Sequence, residues 1–163
     1  MSFCLCVDSG LGRVTKEALS QQTMMELLIQ DIENAYFITL DHPEDVTQWF
    51  GVTFSDDCEI YQIEWEDLAL EGMIDMQWVP HTVQYFFVYL NNLKGPLDLT
   101  KLSGEFIILN VRSNALSGSL NLIQLPLGLN VLDVSLNRFS GQVDLTALPS
   151  SLINLNLHAN KIS

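Results

Sequence analysis

Basic residues are scarce in this sequence of 163 residues, which has seven Lys and Arg against 20 Asp and Glu and a formal net charge of −13. Nucleic acids and anionic membrane surfaces would both repel such a chain, because each carries dense negative charge. Uncharged apolar stretches are short, well below the roughly 20 residues that a membrane helix needs. The sequence therefore predicts neither nucleic-acid binding nor a membrane span.

Cysteine is also rare, with Cys4, Cys6 and Cys58 as its three occurrences. An odd and small number does not build a disulfide framework, which favours a reducing compartment. The opening stretch MSFCLCVDSGLGR lacks a leading basic residue and does not resemble a secretory signal. We therefore expect a cytoplasmic protein, with a secreted or surface location as the alternative if the sequence is a truncated gene product.

Motifs for catalysis are absent from the sequence. His42, His81 and His158 fall in three unrelated contexts, and no zinc-protease motif, phosphate-binding loop or nucleotide fingerprint accompanies them. We predict no enzymatic activity, no catalytic residues, no cofactor and no metal site.

The acidic excess lies entirely in the first part of the chain. Residues 1–71 hold 15 Asp or Glu and two basic residues, whereas residues 72–163 hold five of each. A solubilising acidic end is one interpretation of this asymmetry. The other is a partner with a basic protein surface, which the acidic end would attract.

An internal repeat dominates the rest of the chain. The units GPLDLTKLSGEFIILNVRSNALS (95–117), GSLNLIQLPLGLNVLDVSLNRFS (118–140) and GQVDLTALPSSLINLNLHANKIS (141–163) align without a gap, and GMIDMQWVPHTVQYFFVYLNNLK (72–94) is a fourth unit with added aromatics. Residues 49–71 keep the apolar positions but have Leu68 where the others have Asn. We interpret them as a degenerate first repeat.

The spacing φ-x-x-L-x-φ-x-x-N-x-φ, with φ apolar, resembles the leucine-rich-repeat family. Segments such as LDLTKL and VDLTALPSSL further resemble repeats of single-celled eukaryotes such as trypanosomatids. The resemblance implies an α/β solenoid, right-handed, with short parallel strands. It also implies that four asparagines form a structural ladder by bonding the backbone of neighbouring turns, namely Asn91, Asn114, Asn137 and Asn160.

Residues 1–48 are predicted to form an acidic helical N-terminal cap. Residues 14–36 carry apolar side chains at helical intervals after Thr15, and a second short helix is predicted from Asp41 and Pro43. We expect this segment to cover the open end of the solenoid and to protect the first strand from edge pairing. The alternative is that its MMELL face binds a partner.

The strand (concave) face is the predicted binding surface. Its outward positions change from acidic (Glu64, Glu66 and Asp67) through aromatic to neutral polar along the array. Alternating aromatics on one strand suit a binding hot spot unless the N-terminal helix or a loop covers them. The predicted partner-binding residues are Tyr85, Phe87, Tyr89, Asn110, Arg112, Asp133, Asn156 and His158.

A non-enzymatic protein–protein interaction module is the function that the sequence favours. The alternatives are a fragment of a larger surface or secreted leucine-rich-repeat protein, and the recognition subunit of an enzyme complex such as a ligase or phosphatase adaptor. The last unit, 141–163, is a complete turn whose strand would leave an open edge. We expect either a truncated sequence or docking of this end against another copy of the chain or a partner.

Overall fold

The structure, a computed structural model of the chain, describes residues 16–163. These residues form a β-solenoid in which successive turns add strands to two sheets. Cys4, Cys6 and Thr15 lie outside the described residues. The predicted solenoid with short parallel strands is confirmed.

The first sheet has six strands. Their bounds are β1 Val52–Phe54, β2 Ile60–Glu64, β4 Tyr85–Phe87, β6 Ile108–Asn110, β8 Val131–Asp133 and β10 Asn154–Asn156. They lie in the order β1-β2-β4-β6-β8-β10, and all neighbours from β2 onward are parallel. Ile63, Phe86, Leu109 and Leu132 stand in register and are fully buried. Alternation along each strand thus places one apolar row in the core and leaves its neighbours facing outward.

A second parallel sheet runs along the turns that follow the first. It consists of β3 Glu71–Gly72, β5 Asn92–Pro96, β7 Ala115–Gly118, β9 Arg138–Gly141 and β11 Lys161–Ile162, in that order across the sheet. The sequence predicted only a turn back over the core here, because four of these five strands contain the repeated Gly. Gly72 has φ of +106°, and a Cβ atom on it would lie 2.0 Å from the Asp31 carbonyl oxygen. Glycine is therefore required at this strand position.

The N-terminal helix is shorter than predicted. Helix α1 spans Gln21–Ile29, and the Ser20 hydroxyl caps it by accepting a hydrogen bond from the backbone of Thr23. Met25 and Leu28 are buried and belong to the same core as the strands. The predicted helix over 14–36 ends early because the chain leaves the helix to pair with the second sheet.

Short helices complete the architecture. Helix α2 spans Tyr36–Thr39, and 3₁₀ turns span Lys16–Ala18, Val46–Gln48, Met76–Trp78 and Leu99–Lys101. The second helix predicted from the sequence is the turn Val46–Gln48. Asp45 caps it, not Asp41, because the Asp45 carboxylate accepts from the Thr47 backbone amide at 3.0 Å.

Both sheets begin with an antiparallel segment. Strand β1 pairs antiparallel with β2, and Ile32 forms an antiparallel bridge with Gly72 of β3. The edge of the first sheet is thus covered by a strand, whereas the sequence predicted a helix in this role. A strand can satisfy the free amides and carbonyls of an edge, but a helix uses its own backbone groups internally.

The repeated asparagines bond the backbone of the preceding turn in one recurring pattern. Asn114 accepts from the Leu93 amide at 3.0 Å and donates to the Val88 carbonyl at 2.8 Å. The same two bonds, to residues 21 and 26 positions earlier, recur at Asn91, Asn137 and Asn160. Each amide side chain therefore links two consecutive turns.

The acid at the fourth position of the repeats caps a turn. The Asp98 carboxylate accepts from the backbone amide and the hydroxyl of Thr100, and Asp144 does the same with the Thr two residues later. The threonine hydroxyl is the main cause that lowers the pKa of both carboxyl groups. Asn121 occupies the same position and accepts from the Ile123 amide at 3.1 Å.

Candidate binding surface on the strand face

The parallel register aligns the outward side chains of the first sheet into three rows that cross the strands. We call these rows the strand face. Strand pairing sets the first two rows, and backbone hydrogen bonds beyond the strand ends extend the register to the third. The rows are Gln62-Tyr85-Ile108-Val131-Asn154, Glu64-Phe87-Asn110-Asp133-Asn156 and Glu66-Tyr89-Arg112-Ser135-His158. Ser135 is the one buried residue among them.

Aromatic side chains form a patch on the second strand of this face. Tyr85, Phe87 and Tyr89 alternate with buried residues and each is partly exposed. The Tyr61 ring packs edge-on against Tyr85, with ring centroids 6.3 Å apart. Helix α1 packs elsewhere, against the short helices at 46–48 and 76–78. These four rings, which we call the aromatic patch, are therefore part of the outer surface.

Acidic side chains lie next to the aromatic patch. Glu64 is the row neighbour of Phe87, and Glu66 is the row neighbour of Tyr89. The Oε2 atom of Glu66 is buried and has no hydrogen-bond partner among residues 16–163. A carboxylate oxygen in this state is costly for the folded protein unless something else bonds it.

A second acidic group lies at the other end of the same strands. It surrounds a cleft of about 310 Å³. The cleft is open to solvent, and Tyr61 of the aromatic patch is one of its lining residues. The lining residues are Ser55, Asp57, Glu59, Tyr61, His81, Thr82, Gln84 and Glu105.

Polar side chains on the later strands are held by one another. Asn156 donates to the Asp133 carboxylate at 3.2 Å, and its own oxygen lies 2.6 Å from Nδ1 of His158. The Asn110 oxygen accepts from the Arg112 backbone amide at 3.1 Å. Arg112 itself is exposed. The predicted binding residues thus comprise an aromatic group on one strand and a polar group on the next three.

Neither a cluster of metal-ligating side chains nor a membrane-spanning helix is found in the described part of the chain. Residues 16–163 contain no cluster of three or more His, Cys, Asp and Glu side chains that could hold a metal ion. Within the same range, no helix has the length and apolar character needed to cross a membrane.

No protein-family model matches the sequence, and no curated protein does. Solved structures of plant receptors do match in shape. The BIR2 ectodomain from Arabidopsis thaliana has a TM-score of 0.73 at 21% identity, covering 88% of this chain and 82% of that chain. The leucine-rich-repeat ectodomain of the receptor kinase SOBIR1, from the same plant, has a TM-score of 0.70 at 18% identity, covering 88% and 81%. This chain has a leucine-rich-repeat fold.

A third match comes from a complex. The BIR3–SERK2 complex from Arabidopsis thaliana contains a chain with a TM-score of 0.70 at 20% identity, covering 86% of this chain and 81% of that chain. The leucine-rich-repeat fold implied by the sequence is therefore confirmed. The finer resemblance to repeats of trypanosomatids stays a prediction.

Two features of this leucine-rich-repeat surface were missed from the sequence. Glu64 and Glu66 were placed correctly among outward positions but were not assigned to binding, because their neighbours in the next turn are far away in sequence. The acidic cleft was missed altogether, since residues from three successive turns form it. Only the register of one turn on another brings Asp57, His81 and Glu105 together.

Proposed function

We propose that this chain is a non-enzymatic recognition module that binds a protein partner through the strand face. The aromatic patch carries the proposal. Partly exposed Tyr and Phe side chains bury a large area at low conformational cost, and they are enriched at binding hot spots. The bonded group Asp133, Asn156 and His158 would add polar contacts whose geometry is fixed in advance.

A secreted or surface location fits this function better than the cytoplasmic one expected from the sequence. Two of the similar structures are described as ectodomains, one of them of a receptor kinase, and the third is a complex of BIR3 with SERK2. We extend the proposal accordingly to a recognition module of the surface or secreted kind. Surface biotinylation of intact cells should label the native protein; labelling only after lysis would contradict this part.

Substitution of the aromatic patch tests the main proposal. The variant Tyr85→Thr/Phe87→Thr/Tyr89→Thr introduces β-branched side chains, which suit a strand, and removes three of the four rings of the aromatic patch. Partners purified from the source cells with the wild type should be recovered at least ten-fold less with this variant, as hot-spot losses of roughly 2 kcal/mol or more imply.

The control for this experiment removes apolar surface elsewhere. Ile123 and Leu127 are exposed at 48% and 86% and lie outside the strand face. Substitution of both residues with Thr should leave the recovery of every partner unchanged. Equal recovery with the wild type and the aromatic variant would contradict the proposed function.

Self-association is a second interaction that we propose for this module. Strand β10 pairs with β8 on one side, and Ile153 beside it is 83% exposed. Light scattering should show a mass that rises with concentration and that returns to the monomer value on Ile153→Lys. A constant monomer mass for the wild type would contradict it.

A further inference from the structure

We infer that the partner segment seated on the strand face is extended and basic, with a Lys or Arg side chain placed at Glu64 and Glu66 beside Phe87 and Tyr89. This inference rests on the proposed function and adds the chemistry of the partner. The partner is expected to be a protein segment, because the surface combines acidic side chains with aromatic rings along an open, elongated sheet.

Charge is the first argument. At the aromatic end of the strand face the outward charged side chains are Glu64, Glu66 and Asp67. Arg112 is the first basic residue in these rows, two strands further on and therefore about 10 Å away. No salt bridge among residues 16–163 involves any of the three carboxylates. This part of the face therefore attracts a cation that the described chain does not supply.

The orphaned oxygen of Glu66 is the second argument. Its Oε2 atom is buried yet has no hydrogen-bond partner in the described chain. Buried carboxylates are normally paired or hydrogen-bonded, because desolvation penalises the free charge. An ammonium or guanidinium group would provide the missing donor. Tyr89 lies beside Glu66 in the same row, so its ring can contact the stem or the face of such a cation.

The acidic cleft is the third argument. Glu59, one of its lining residues, precedes Glu66 by seven positions along an extended segment, which corresponds to roughly 20 Å. The aromatic patch lies between these two acidic groups. A segment of about seven extended residues would span the distance. We therefore expect apolar side chains in its middle and a basic residue near each end.

Selection from a library of random peptides displayed on phage tests the inference. The wild-type protein should enrich peptides rich in Lys and Arg that flank apolar residues. A synthetic peptide made from the enriched sequence should bind Glu64→Gln/Glu66→Gln at least ten-fold more weakly, and its affinity for the wild type should fall as NaCl rises.

Weaker peptide binding could come from loss of charge at this site, from loss of net charge or from misfolding. Two controls distinguish these causes. Asp41→Asn/Glu44→Gln removes two exposed acids outside the sheets and should leave peptide affinity within two-fold of wild type. Glu64→Lys places a base on the same partly exposed position. Selection on that variant should shift toward Asp and Glu, a gain that a misfolded protein cannot produce.

The outcomes distinguish the inference from the function on which it rests. Enriched peptides that lack Lys and Arg but still require Tyr85, Phe87 and Tyr89 would overturn the basic segment and keep the binding face. Peptides that bind the aromatic variant as well as the wild type, or no enrichment at all, would overturn the proposed function itself.

Discussion

Glu66 combines partial burial with a carboxylate oxygen that has no partner within residues 16–163. Replacing it with Met keeps the length of the side chain and removes the oxygen. We predict that Glu66→Met raises the free energy of unfolding by about 1 kcal/mol, because an unsatisfied buried acceptor destabilises the folded state. Urea unfolding measures this value, and Glu64→Met, which removes no orphaned oxygen, serves as the control. A decrease for Glu66→Met would contradict the prediction.

Asn137 differs from Glu66 because every polar atom of its side chain is hydrogen-bonded. It accepts from the Leu116 amide and donates to the carbonyls of Val111, Val134 and Ser135. We predict that Asn137→Ala lowers the free energy of unfolding by roughly 2–4 kcal/mol, because it leaves buried backbone groups without partners.

The matched control for Asn137 is Asn110. Its side-chain oxygen accepts one bond at a partly exposed site. Asn110→Ala should cost about 1 kcal/mol or less. Equal losses for the two variants would show that the bonds across turns add nothing.

The structural role of the asparagines could be predicted from the sequence, but the unpartnered oxygen of Glu66 could not. Polar residues recurring among apolar ones need hydrogen-bond partners, and the resemblance to the leucine-rich-repeat family implies that these partners are backbone groups of neighbouring turns. The environment of one carboxylate oxygen depends instead on how a single irregular turn packs against the next. Glu66 belongs to the least regular repeat, where the pattern is weakest.

The carboxylates that cap turns make the stability of the fold depend on pH. The pKa of Asp98 is lowered, mainly by the Thr100 hydroxyl, from its ordinary value of 3.8. A carboxyl group with a lowered folded-state pKa stabilises the fold above its unfolded pKa, and this contribution is lost as pH falls through the folded value. We predict that Asp98→Ala destabilises the protein more at pH 7 than at about pH 3.

The neighbouring repeat supplies the control for this prediction. Asn121 caps the equivalent turn with an amide that does not titrate in this range. The effect of Asn121→Ala on the unfolding midpoint should therefore be the same at both pH values. A pH-independent effect of Asp98→Ala would contradict the role assigned to its charge.

Strands and helices could be predicted from the sequence where the repeat is regular. The strands of the first sheet follow from alternating Leu and Val positions, such as Leu109 and Val111. The second sheet was not predictable in this way, because its strands contain Gly and Pro, which local propensity assigns to turns. The end of helix α1 was missed for a related reason: Ile32 fits the helical pattern but pairs with Gly72 instead.

The whole molecule has one continuous core, which includes Met25 of helix α1 and reaches Phe139 of the last but one strand of the second sheet. Such a core favours a single cooperative transition in a chain of this size. Trp49 and Trp65 are buried in the N-terminal half, so their fluorescence reports on that half alone. We predict that thermal midpoints from Trp fluorescence and from far-ultraviolet circular dichroism coincide. Separate midpoints would show that the turns unfold independently.

Architecture at this scale was the most predictable property, and the acidic cleft was the least. A repeat in constant register specifies which side chains stack on which, so the rows of the strand face follow from the sequence. The acidic cleft does not follow, because it depends on the less regular segment between β1 and β2. The antiparallel pairing of β1 itself also has no counterpart in the repeat.

The asparagine bonds have a genetic consequence. Each Asn contacts positions 21 and 26 residues earlier, and both contacts fall in the turn before it. Duplication or loss of one whole unit by recombination would recreate the same junction at the new boundary. The length of such an array can therefore change in a single event without any compensating mutation, and the surface available for recognition changes with it.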